Sequence, residues 1–285
     1  MEEAIKKADV LIEALPYIKE FHRKVMVIKY GGSILGEEKI RRGVLEDIVF
    51  LSYMGLCPVL VHGGGPNISE RMKSEGVKTE FVDGMRVTDE KTLEIVEEEL
   101  NKLNKIIVSE IKESGGKAVG FLSKDEGIII ARKRQSPDRD LGLVGTVEAI
   151  NTKPLFTQTR NYTICVICPM GKGRDGKTYN INADDAASSA AISLSAEKLV
   201  VLTNVKGIMR SPEDANSLIS TLTVSEAQSL IEEGAIQAGM IPKVNSCVAA
   251  LEGRVRKAHI IDARISHALL LEIFTEEGIG TEIIK

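Results

Sequence analysis

The sequence predicts an α/β protein whose largely parallel sheet is covered by helices on both faces. Short apolar, β-branched runs alternate with longer amphipathic or alanine-rich stretches, which is the pattern of repeated strand–helix units. The first two apolar runs, at 25–28 and 59–61, are each followed by glycines, at 31–32 and 63–65. Ligands of open α/β sheets bind at the carboxyl ends of the strands, so these glycine turns are the first candidates for a functional site.

The individual elements follow from periodicity and from the positions of glycine and proline. Residues 2–20 form an amphipathic helix that Pro16 interrupts. Strands are expected at 25–28, 59–61, 79–88 with a turn at 83–84, 117–121, 128–132, 143–150, 162–168, 198–202, 259–261 and, as a final edge strand, 281–284. Helices are expected at 37–54, 67–75, 89–113, 183–194, 224–233, 243–251 and 268–276. A glycine loop is expected at 169–178.

Composition excludes several classes of function. The chain has 285 residues, with 37 basic against 41 acidic side chains, and this balance argues against a nucleic-acid surface. Trp is absent and aromatic residues make up 4%, which leaves little for base stacking. No apolar run reaches the length of a membrane span, and the N-terminal stretch carries charges of both signs. We therefore expect no membrane partner and a cytoplasmic protein, or a stromal one if the gene is plastid-encoded.

The cysteines and histidines do not indicate a metal site. Cys165 and Cys168 have the C-x-x-C spacing, but they lie in a predicted strand, where residues three apart point to opposite faces. Buried core thiols are the expected outcome. The four histidines show no paired ligand spacing, and His62 beside the glycine turn is expected to make a structural hydrogen bond.

The two glycine turns together predict a phosphate site. Turns without Cβ atoms let a ligand approach the backbone closely, and a helix N-terminus after Gly65 favours an anion. Lys29 directly precedes the first turn and could neutralise a polyphosphate. The dinucleotide pattern G-x-G-x-x-G does not fit, because Ile68 stands where its last glycine would be. The alternative interpretation is two tight turns without a ligand.

A competing phosphate motif lies further along the chain. Residues 171–178 match the P-loop pattern G-x-x-x-x-G-K-[ST]. A P-loop leads straight into its helix, however, and here residues 179–182 intervene before the alanine-rich stretch. Too few strands follow to build a sheet around the motif. A solvated glycine loop is therefore the preferred interpretation.

Six motifs, taken in order, resemble the amino-acid kinase family, and within it the enzymes that phosphorylate N-acetyl-L-glutamate. They are Lys29-Tyr-Gly-Gly32, His62-Gly-Gly-Gly65, Asp83-Gly-Met-Arg86-Val-Thr-Asp89, Tyr179-Asn180-Ile-Asn-Ala-Asp184, Gly239-Met-Ile-Pro-Lys243 and Ile273-Phe-Thr with Gly278-Ile-Gly-Thr281. The match covers nearly the whole chain and is more specific than any single motif. It implies an open αβα sandwich and phosphoryl transfer from ATP to the acceptor's side-chain carboxylate, in arginine biosynthesis.

The resemblance also implies roles for individual residues. Lys29 and Lys243 would neutralise the transferring phosphoryl group from two sides, and Asp184 would orient both lysines. Backbone N–H groups of Gly32, Gly64 and Gly65 would bind the phosphates. Substrate binding would involve Arg86 and Asn180 together with the glycines at 64 and 65. A carboxylate acceptor is already ionised at neutral pH and needs no general base.

A nucleotide site is implied in the C-terminal part, with Mg²⁺ carried by ATP and no metal held by the protein alone. Its expected residues are Asn204, Val205, Lys206, Gly207, Ile208, Met209, Ala235, Ile236 and Gln237. The implied division is an N-terminal interaction helix at 1–22, an acceptor and phosphate-loop lobe at 23–195 and a nucleotide lobe at 196–285. Asn204 stands where the family usually has aspartate, and Asn104 stands where it usually has glycine.

The same resemblance implies regulation. Arginine-inhibited members carry an extra N-terminal helix that links dimers into a hexameric ring, and residues 2–20 resemble it. Tyr17, Glu272 and Gly278 match the positions nearest the arginine site of those members. The expected partners are N-acetyl-L-glutamate, ATP, L-arginine as an inhibitor, further copies of the chain as a trimer of dimers, and a PII-type regulatory protein. Two alternatives stay open: a same-fold kinase for aspartate, glutamate, carbamate or a nucleoside monophosphate, and a non-catalytic arginine-sensing module.

Overall fold

The computed structural model describes residues 1–123, 127–137, 139–211, 214, 217–236, 239–275 and 278–285, and only the backbone of residues 3 and 7. The strands are β1 (Val25–Tyr30), β2 (Cys57–His62), β3 (Phe81–Val82), β4 (Met85–Arg86), β5 (Ala118–Phe121), β6 (Ile129–Lys133), β7 (Val144–Ile150), β8 (Ile164–Ile167), β9 (Met170–Gly173), β10 (Thr178–Ile181), β11 (Lys198–Thr203), β12 (Thr221–Thr223), β13 (Lys257–Asp262) and β14 (Thr281–Ile284). The helices are α1 (Glu2–Glu13), α2 (Leu15–Phe21), α3 (Gly32–Leu35), α4 (Glu38–Tyr53), α5 (Gly65–Ser74), α6 (Glu90–Glu113), α7 (Thr152–Thr159), α8 (Ala183–Ser193), α9 (Val224–Glu232), α10 (Ile241–Glu252) and α11 (Ala268–Phe274).

Eight strands form the central sheet, in the order β12-β14-β13-β11-β1-β2-β8-β5. Neighbouring strands run parallel except for β13 and β14, which are antiparallel. Parallel strands need crossover connections, and the helices supply them on both faces of the sheet. The predicted α/β class, an αβα sandwich with a mainly parallel sheet, is confirmed.

Alternating side chains of the buried strands build two apolar layers. Val27 and Val201 belong to the cluster that contains the alanines of α8. Ile28 and Leu202 belong to the opposite cluster, which contains residues of α4, α6 and α11. Lys29 is two residues after Val27 and thus extends toward the side of α8. This register decides which helix its ammonium group can meet.

Four short strands pair in a closed ring, in the order β10-β7-β6-β9, beside the main sheet. The expected loop at 169–178 is therefore wrong, because residues 170–173 and 178–181 are paired strands. Gly171 indicates close packing here: a Cβ at this position would come within 2.6 Å of the Ala131 Cβ. Glycine in a strand can mark such an approach rather than a loop.

Four further elements differ from the prediction. β14 is not an edge strand, because β12 pairs outside it. Strand β12 has only three residues, and such a short strand leaves a weak periodic signal. The single-turn helix α3 and the helix α7, which contains Pro154, are absent from the prediction as well.

The predicted N-terminal helix is divided at Ala14 into α1 and α2, and Pro16 lies in the first turn of α2, where proline is tolerated. α2 packs onto the body of the protein, since Tyr17 makes an edge-on ring contact with Phe274 at 6.2 Å. α1 leaves apolar side chains open, for example Leu11 at 67% exposure. Among the described helices, none combines the length and apolar character that crossing a membrane would require.

Candidate functional site

A cavity of about 330 Å³ opens where β1 and β2 end at their carboxyl termini. Both glycine turns line it, as the sequence predicts. The lining also includes every predicted catalytic and substrate-binding residue: Lys29, Gly32, Gly64, Gly65, Arg86, Asn180, Asp184 and Lys243. The structure thus brings together residues that lie more than two hundred positions apart in the chain.

The two glycine turns form a backbone cradle. A Cβ on Gly32 would lie 2.9 Å from the Gly65 nitrogen and 3.0 Å from the Gly64 nitrogen, so the turns meet without room for a side chain. Gly65 begins α5, whose first N–H groups have no partner within the helix. Aligned free N–H groups at a helix start favour an anion.

A buried ion pair forms the floor of the cavity. Lys29 Nζ lies 3.0 Å from Asp184 Oδ1, with side-chain exposures of 6% and 9%. Asp184 lies in the first turn of α8, which Asn182 caps by accepting a hydrogen bond from the Asp184 amide at 2.7 Å. The N-cap of α8 is therefore Asn182, and the Asp184 side chain is not used for capping. The Asp184 carboxylate is held facing Lys29.

Lys243 adds a second cation to the lining of the cavity. It lies in the first turn of α10, and its Nζ donates to the Gly239 carbonyl at 3.1 Å. Burial lowers the pKa of Lys243, and the nearby charge of Lys29 lowers it further, while Asp184 opposes the shift. Two cations around one carboxylate leave net positive charge facing the glycine cradle.

Arg86 is a buried cation on the hairpin β3–β4. Its Nη2 donates to Ser69 Oγ at 2.7 Å and to the Gly65 carbonyl at 3.1 Å, and its guanidinium lies 4.7 Å from the centre of the Phe81 ring. Among the described residues it forms no ion pair with a carboxylate. Burial accordingly lowers the pKa of Arg86. A guanidinium held in this way is ready for an anionic ligand.

Asn180 completes the wall beside Arg86. Its Nδ2 donates to Thr88 Oγ1 at 3.1 Å, and Thr88 Oγ1 in turn donates to the Arg86 carbonyl at 2.7 Å. Sequence reasoning missed Ser69 and Thr88 as the residues that hold these two side chains. Their positions gave a signal: Thr88 lies inside the motif that contains Arg86, and Ser69 lies four residues after Gly65.

A second cavity of about 480 Å³ adjoins the first and shares Thr203, Asn204 and Lys243 with it. Eight of the nine residues expected at the nucleotide line it: Asn204, Val205, Lys206, Gly207, Ile208, Met209, Ala235 and Ile236. The ninth, Gln237, lies outside the described residues. Gly207 has φ of +152°, and a Cβ there would meet Thr281 Oγ1 at 2.5 Å, so this loop requires glycine.

A third cavity of about 310 Å³ lies between α2 and the β13–α11 region. Tyr17, Glu272 and Gly278 all line it, as do Lys198 and His259. Burial raises the pKa of Glu272, but the His259 hydrogen bond, the Ile279 amide and Lys198 lower it overall. The cavity is therefore lined by an ionised, almost fully buried carboxylate.

The rejected motifs lie elsewhere. Residues 171–178 belong to the β9–β10 hairpin, and no described residue among them lines the first two cavities. All four cysteines are buried thiols outside any disulfide. Burial raises the pKa of Cys165 to about 12, which makes a thiolate ligand unfavourable. In the described part of the chain, no group of three His, Cys, Asp or Glu side chains could hold a metal ion.

Comparisons with known proteins agree with this geometry. A sequence profile described as the amino acid kinase family matches residues 24–262. Acetylglutamate kinase of Syntrophomonas wolfei is 48% identical over 283 residues, covering 99% of this chain and 98% of that protein. Acetylglutamate kinase of Petrotoga mobilis is 50% identical over 284 residues, covering 99% and 95%.

Solved structures are similar as well. N-acetylglutamate synthase from Neisseria gonorrhoeae, complexed with coenzyme A and N-acetyl-glutamate, has a TM-score of 0.88 and 32% identity. The match covers 98% of this chain but 63% of the synthase, so this chain spans less than two thirds of that protein. The same synthase complexed with coenzyme A and L-arginine has a TM-score of 0.85 and 30% identity, and the match covers 98% of this chain and 65% of that one. Carbamate kinase from Giardia lamblia, bound to AMP-PNP, shares the fold at 16% identity, with a TM-score of 0.66 and coverage of 92% and 99%.

Proposed function

The chain belongs to the amino acid kinase family, and on that premise we propose that it transfers the γ-phosphoryl group of ATP to the side-chain carboxylate of N-acetyl-L-glutamate. Full-length relatives near 48% identity are acetylglutamate kinases, so the chain is a kinase enzyme and the prediction from its motifs is confirmed. The product, N-acetyl-L-glutamyl 5-phosphate, belongs to arginine biosynthesis. The observation that carries the mechanism is the pair of lysines around Asp184, facing a cradle of free backbone amides.

Arg86 and Asn180 bind the acceptor in this proposal. The acceptor's α-carboxylate supplies the anion that the buried Arg86 guanidinium lacks within the described residues, and two parallel N–H groups suit a carboxylate. Asn180, placed by Thr88, donates or accepts one further hydrogen bond. This arrangement directs the side-chain carboxylate of the acceptor toward Gly64 and Gly65.

Phosphoryl transfer then needs positioning and charge neutralisation rather than proton removal. The attacking carboxylate is already ionised, since its ordinary pKa is about 4. Lys29 and Lys243 approach the transferring group from two sides, and the amides of Gly32, Gly64 and Gly65 donate to its oxygens. The 3.0 Å ion pair with Asp184 holds the Lys29 ammonium group in the cavity.

ATP occupies the second cavity, with its phosphates directed toward the shared residues Asn204 and Lys243. Apolar side chains such as Ile208 and Ile236 suit a base, and both are nearly fully buried. Mg²⁺ arrives with ATP, because it keeps several waters and binds mainly through substrate phosphates. When bound, Mg²⁺ would neutralise phosphate charge, and the ATP phosphates would supply ligands that the described residues do not provide. In this division, 23–195 forms the acceptor lobe and 196–285 the nucleotide lobe.

An ATP-dependent hydroxamate assay tests this function. Hydroxylamine traps an acyl phosphate, so the assay compares the carboxylate acceptors N-acetyl-L-glutamate, glutamate and aspartate directly. For carbamate and nucleoside monophosphates, the release of ADP is measured instead. We expect turnover with N-acetyl-L-glutamate. Turnover with another acceptor and none with N-acetyl-L-glutamate would assign the chain to a different reaction, and no turnover with any acceptor would favour a non-catalytic arginine-sensing module.

Regulation by L-arginine is a further part of the proposal. The third cavity offers Glu272 to a guanidinium group and lies directly against α2, through Tyr17. Helix α1, which precedes α2 in the chain, exposes the apolar side chains of Ile5, Leu11 and Ile12, and these suit contact with a second copy of the chain. We therefore retain a hexamer built from three dimers and inhibited by L-arginine. Binding of a PII-type protein and a cytoplasmic location stay predictions.

A further inference from the structure

A buried asparagine and a buried histidine connect the long helix α6 with the second glycine turn. Asn104 Nδ2 lies 3.1 Å from His62 Nε2 and 3.0 Å from the Val166 carbonyl oxygen. On the other side of the ring, His62 Nδ1 lies 3.1 Å from the Gly63 carbonyl oxygen. Asn104 and His62 are both 0% exposed, so water does not compete for these hydrogen bonds.

The partners determine where the protons lie. A carbonyl oxygen only accepts, so the Asn104 atom that contacts Val166 is the amide nitrogen, and it also donates to His62 Nε2. The Gly63 carbonyl likewise only accepts, so His62 Nδ1 donates to it. The imidazole is therefore neutral, with its proton on Nδ1. Burial favours the same neutral form, because it lowers the pKa of His62 to about 4.

The Gly63 carbonyl shares its peptide unit with the Gly64 N–H. A trans peptide is planar, so its C=O and N–H point in opposite directions. The Gly63 nitrogen also donates to the Tyr30 carbonyl at 2.9 Å, which anchors the preceding peptide. Holding the Gly63 oxygen against the buried imidazole thus turns the Gly64 N–H toward Gly32 and the catalytic cavity.

We propose that Asn104 is a positioning residue for phosphoryl transfer: through His62 it sets the direction of the Gly64 N–H toward the transferring phosphoryl group. Asn104 does not line the catalytic cavity and acts only through the histidine. The inference rests on the proposed function of the glycine cradle, whereas the hydrogen-bond chain can be tested without any substrate.

The first test is the tautomer of His62 in the full-length protein. Nitrogen-15 NMR of protein labelled at histidine separates Nδ1–H, Nε2–H and doubly protonated rings, and the spectrum of His62→Asn identifies the His62 signal. At neutral pH we expect a neutral ring with the proton on Nδ1. A His62 signal from the Nε2–H form or from an imidazolium would overturn the proposal, whether or not the protein phosphorylates N-acetyl-L-glutamate.

The second test reverses one hydrogen bond. Asn104→Asp keeps the shape of the side chain but replaces the donor by an acceptor, which draws the histidine proton to Nε2. We expect kcat to fall about tenfold, a fraction of the 100- to 1,000-fold loss typical of a deleted oxyanion donor. The acceptor KM should stay within about twofold, because Arg86 and Asn180 are untouched. Parental kcat in this variant, with nitrogen-15 NMR showing the His62 proton on Nε2, would overturn the proposal. A ring protonated at both nitrogens keeps the Nδ1 donor, and reduced kcat in that form would contradict the proposal as well.

Asn101→Asp is the matched control. Asn101 lies on the same helix, and its Nδ2 donates to Ser123 Oγ at 2.8 Å, away from the glycine turn. The control makes the same chemical change and should keep parental kcat. An equal loss of kcat in both variants would show that the effect is general to α6 and would overturn the proposal.

A pair of His62 variants decides the question if Asn104→Asp does not fold. The amide of asparagine lies where Nδ1 lies in histidine, whereas the amide of glutamine lies where Nε2 lies. His62→Asn therefore keeps a donor for the Gly63 carbonyl, and His62→Gln does not. We expect kcat to be about tenfold higher in His62→Asn than in His62→Gln. Equal values or the reverse order would contradict the proposed role.

Discussion

Arg86 offers the sharpest separation of acceptor binding from nucleotide binding. Arg86 is 6% exposed, and its guanidinium is held by Ser69, the Gly65 carbonyl and the face of Phe81, with no carboxylate partner among the described residues. Arg86→Leu removes the charge and the guanidinium N–H groups while retaining apolar bulk against Phe81. Because burial lowers the pKa of Arg86, the charged group already costs free energy in the absence of ligand. The variant should therefore fold.

The size of the effect follows from the lost hydrogen bonds. Two bonds between charged groups contribute about 3 kcal/mol together, which corresponds to a rise of roughly 150-fold in the acceptor KM. The same loss of acceptor affinity should appear in stability measurements, because a bound acceptor raises the free energy of unfolding. At an acceptor concentration 100 times its Kd, the parent gains about 2.7 kcal/mol of unfolding free energy. The variant, with Kd raised roughly 150-fold, gains only about 0.3 kcal/mol at the same concentration.

The assays are steady-state kinetics for both substrates and thermal unfolding with and without N-acetyl-L-glutamate. The ATP KM should be nearly unchanged, and Arg86→Lys should recover little, since a lysine restores the charge but not the paired N–H groups. Arg71→Leu is the control, because Arg71 pairs with the exposed Glu75 and Glu98 and with the buried Glu99, and it faces no cavity described above. An ATP KM that rises as much as the acceptor KM would refute the assignment of Arg86.

Three further predictions follow from the site. Lys29→Ala and Lys243→Ala should each lower kcat roughly 100-fold or more with smaller changes in KM. Lys177→Ala should lower kcat only slightly, and loss of activity in Lys177→Ala alone would support the P-loop interpretation. Burial and Lys29 lower the pKa of Lys243, so Lys243 loses its charge as pH rises through that lowered pKa, and kcat should fall there. Lys243→Arg should flatten this alkaline limb of the pH–rate profile. An unchanged limb in the variant would assign the fall in kcat to another group. Deleting residues 1–20 should give an active dimer without arginine inhibition, which light scattering and kinetics with L-arginine would measure. A full-length chain that is already dimeric would exclude the hexameric ring. Arginine inhibition that survives the deletion would exclude the role of the N-terminal helix.

The sequence by itself determined the fold class and the two glycine turns, because these depend on local patterns. Apolar β-branched runs, glycine at strand ends and helix-capping residues each act within a few positions, and the order of strands and helices then implies a parallel sheet. The same local reasoning misjudged residues 169–178, where glycine serves close packing of a strand against Ala131 rather than a loop. It also misplaced the sheet edge, because pairing between β12 and β14 joins segments far apart in the chain.

Only the tertiary structure decided how the charged residues act. Lys29 and Asp184 are 155 positions apart, and their 3.0 Å contact depends on the register that places Lys29 on the face of α8. Arg86 has no carboxylate partner in the described part of the chain. This isolation, like the hydrogen-bond chain from Asn104 through His62 to Gly63, is a property of packing. Burial excludes water from these groups, which turns ordinary side chains into fixed charges and fixed donors, and burial is set by the whole fold rather than by neighbouring residues.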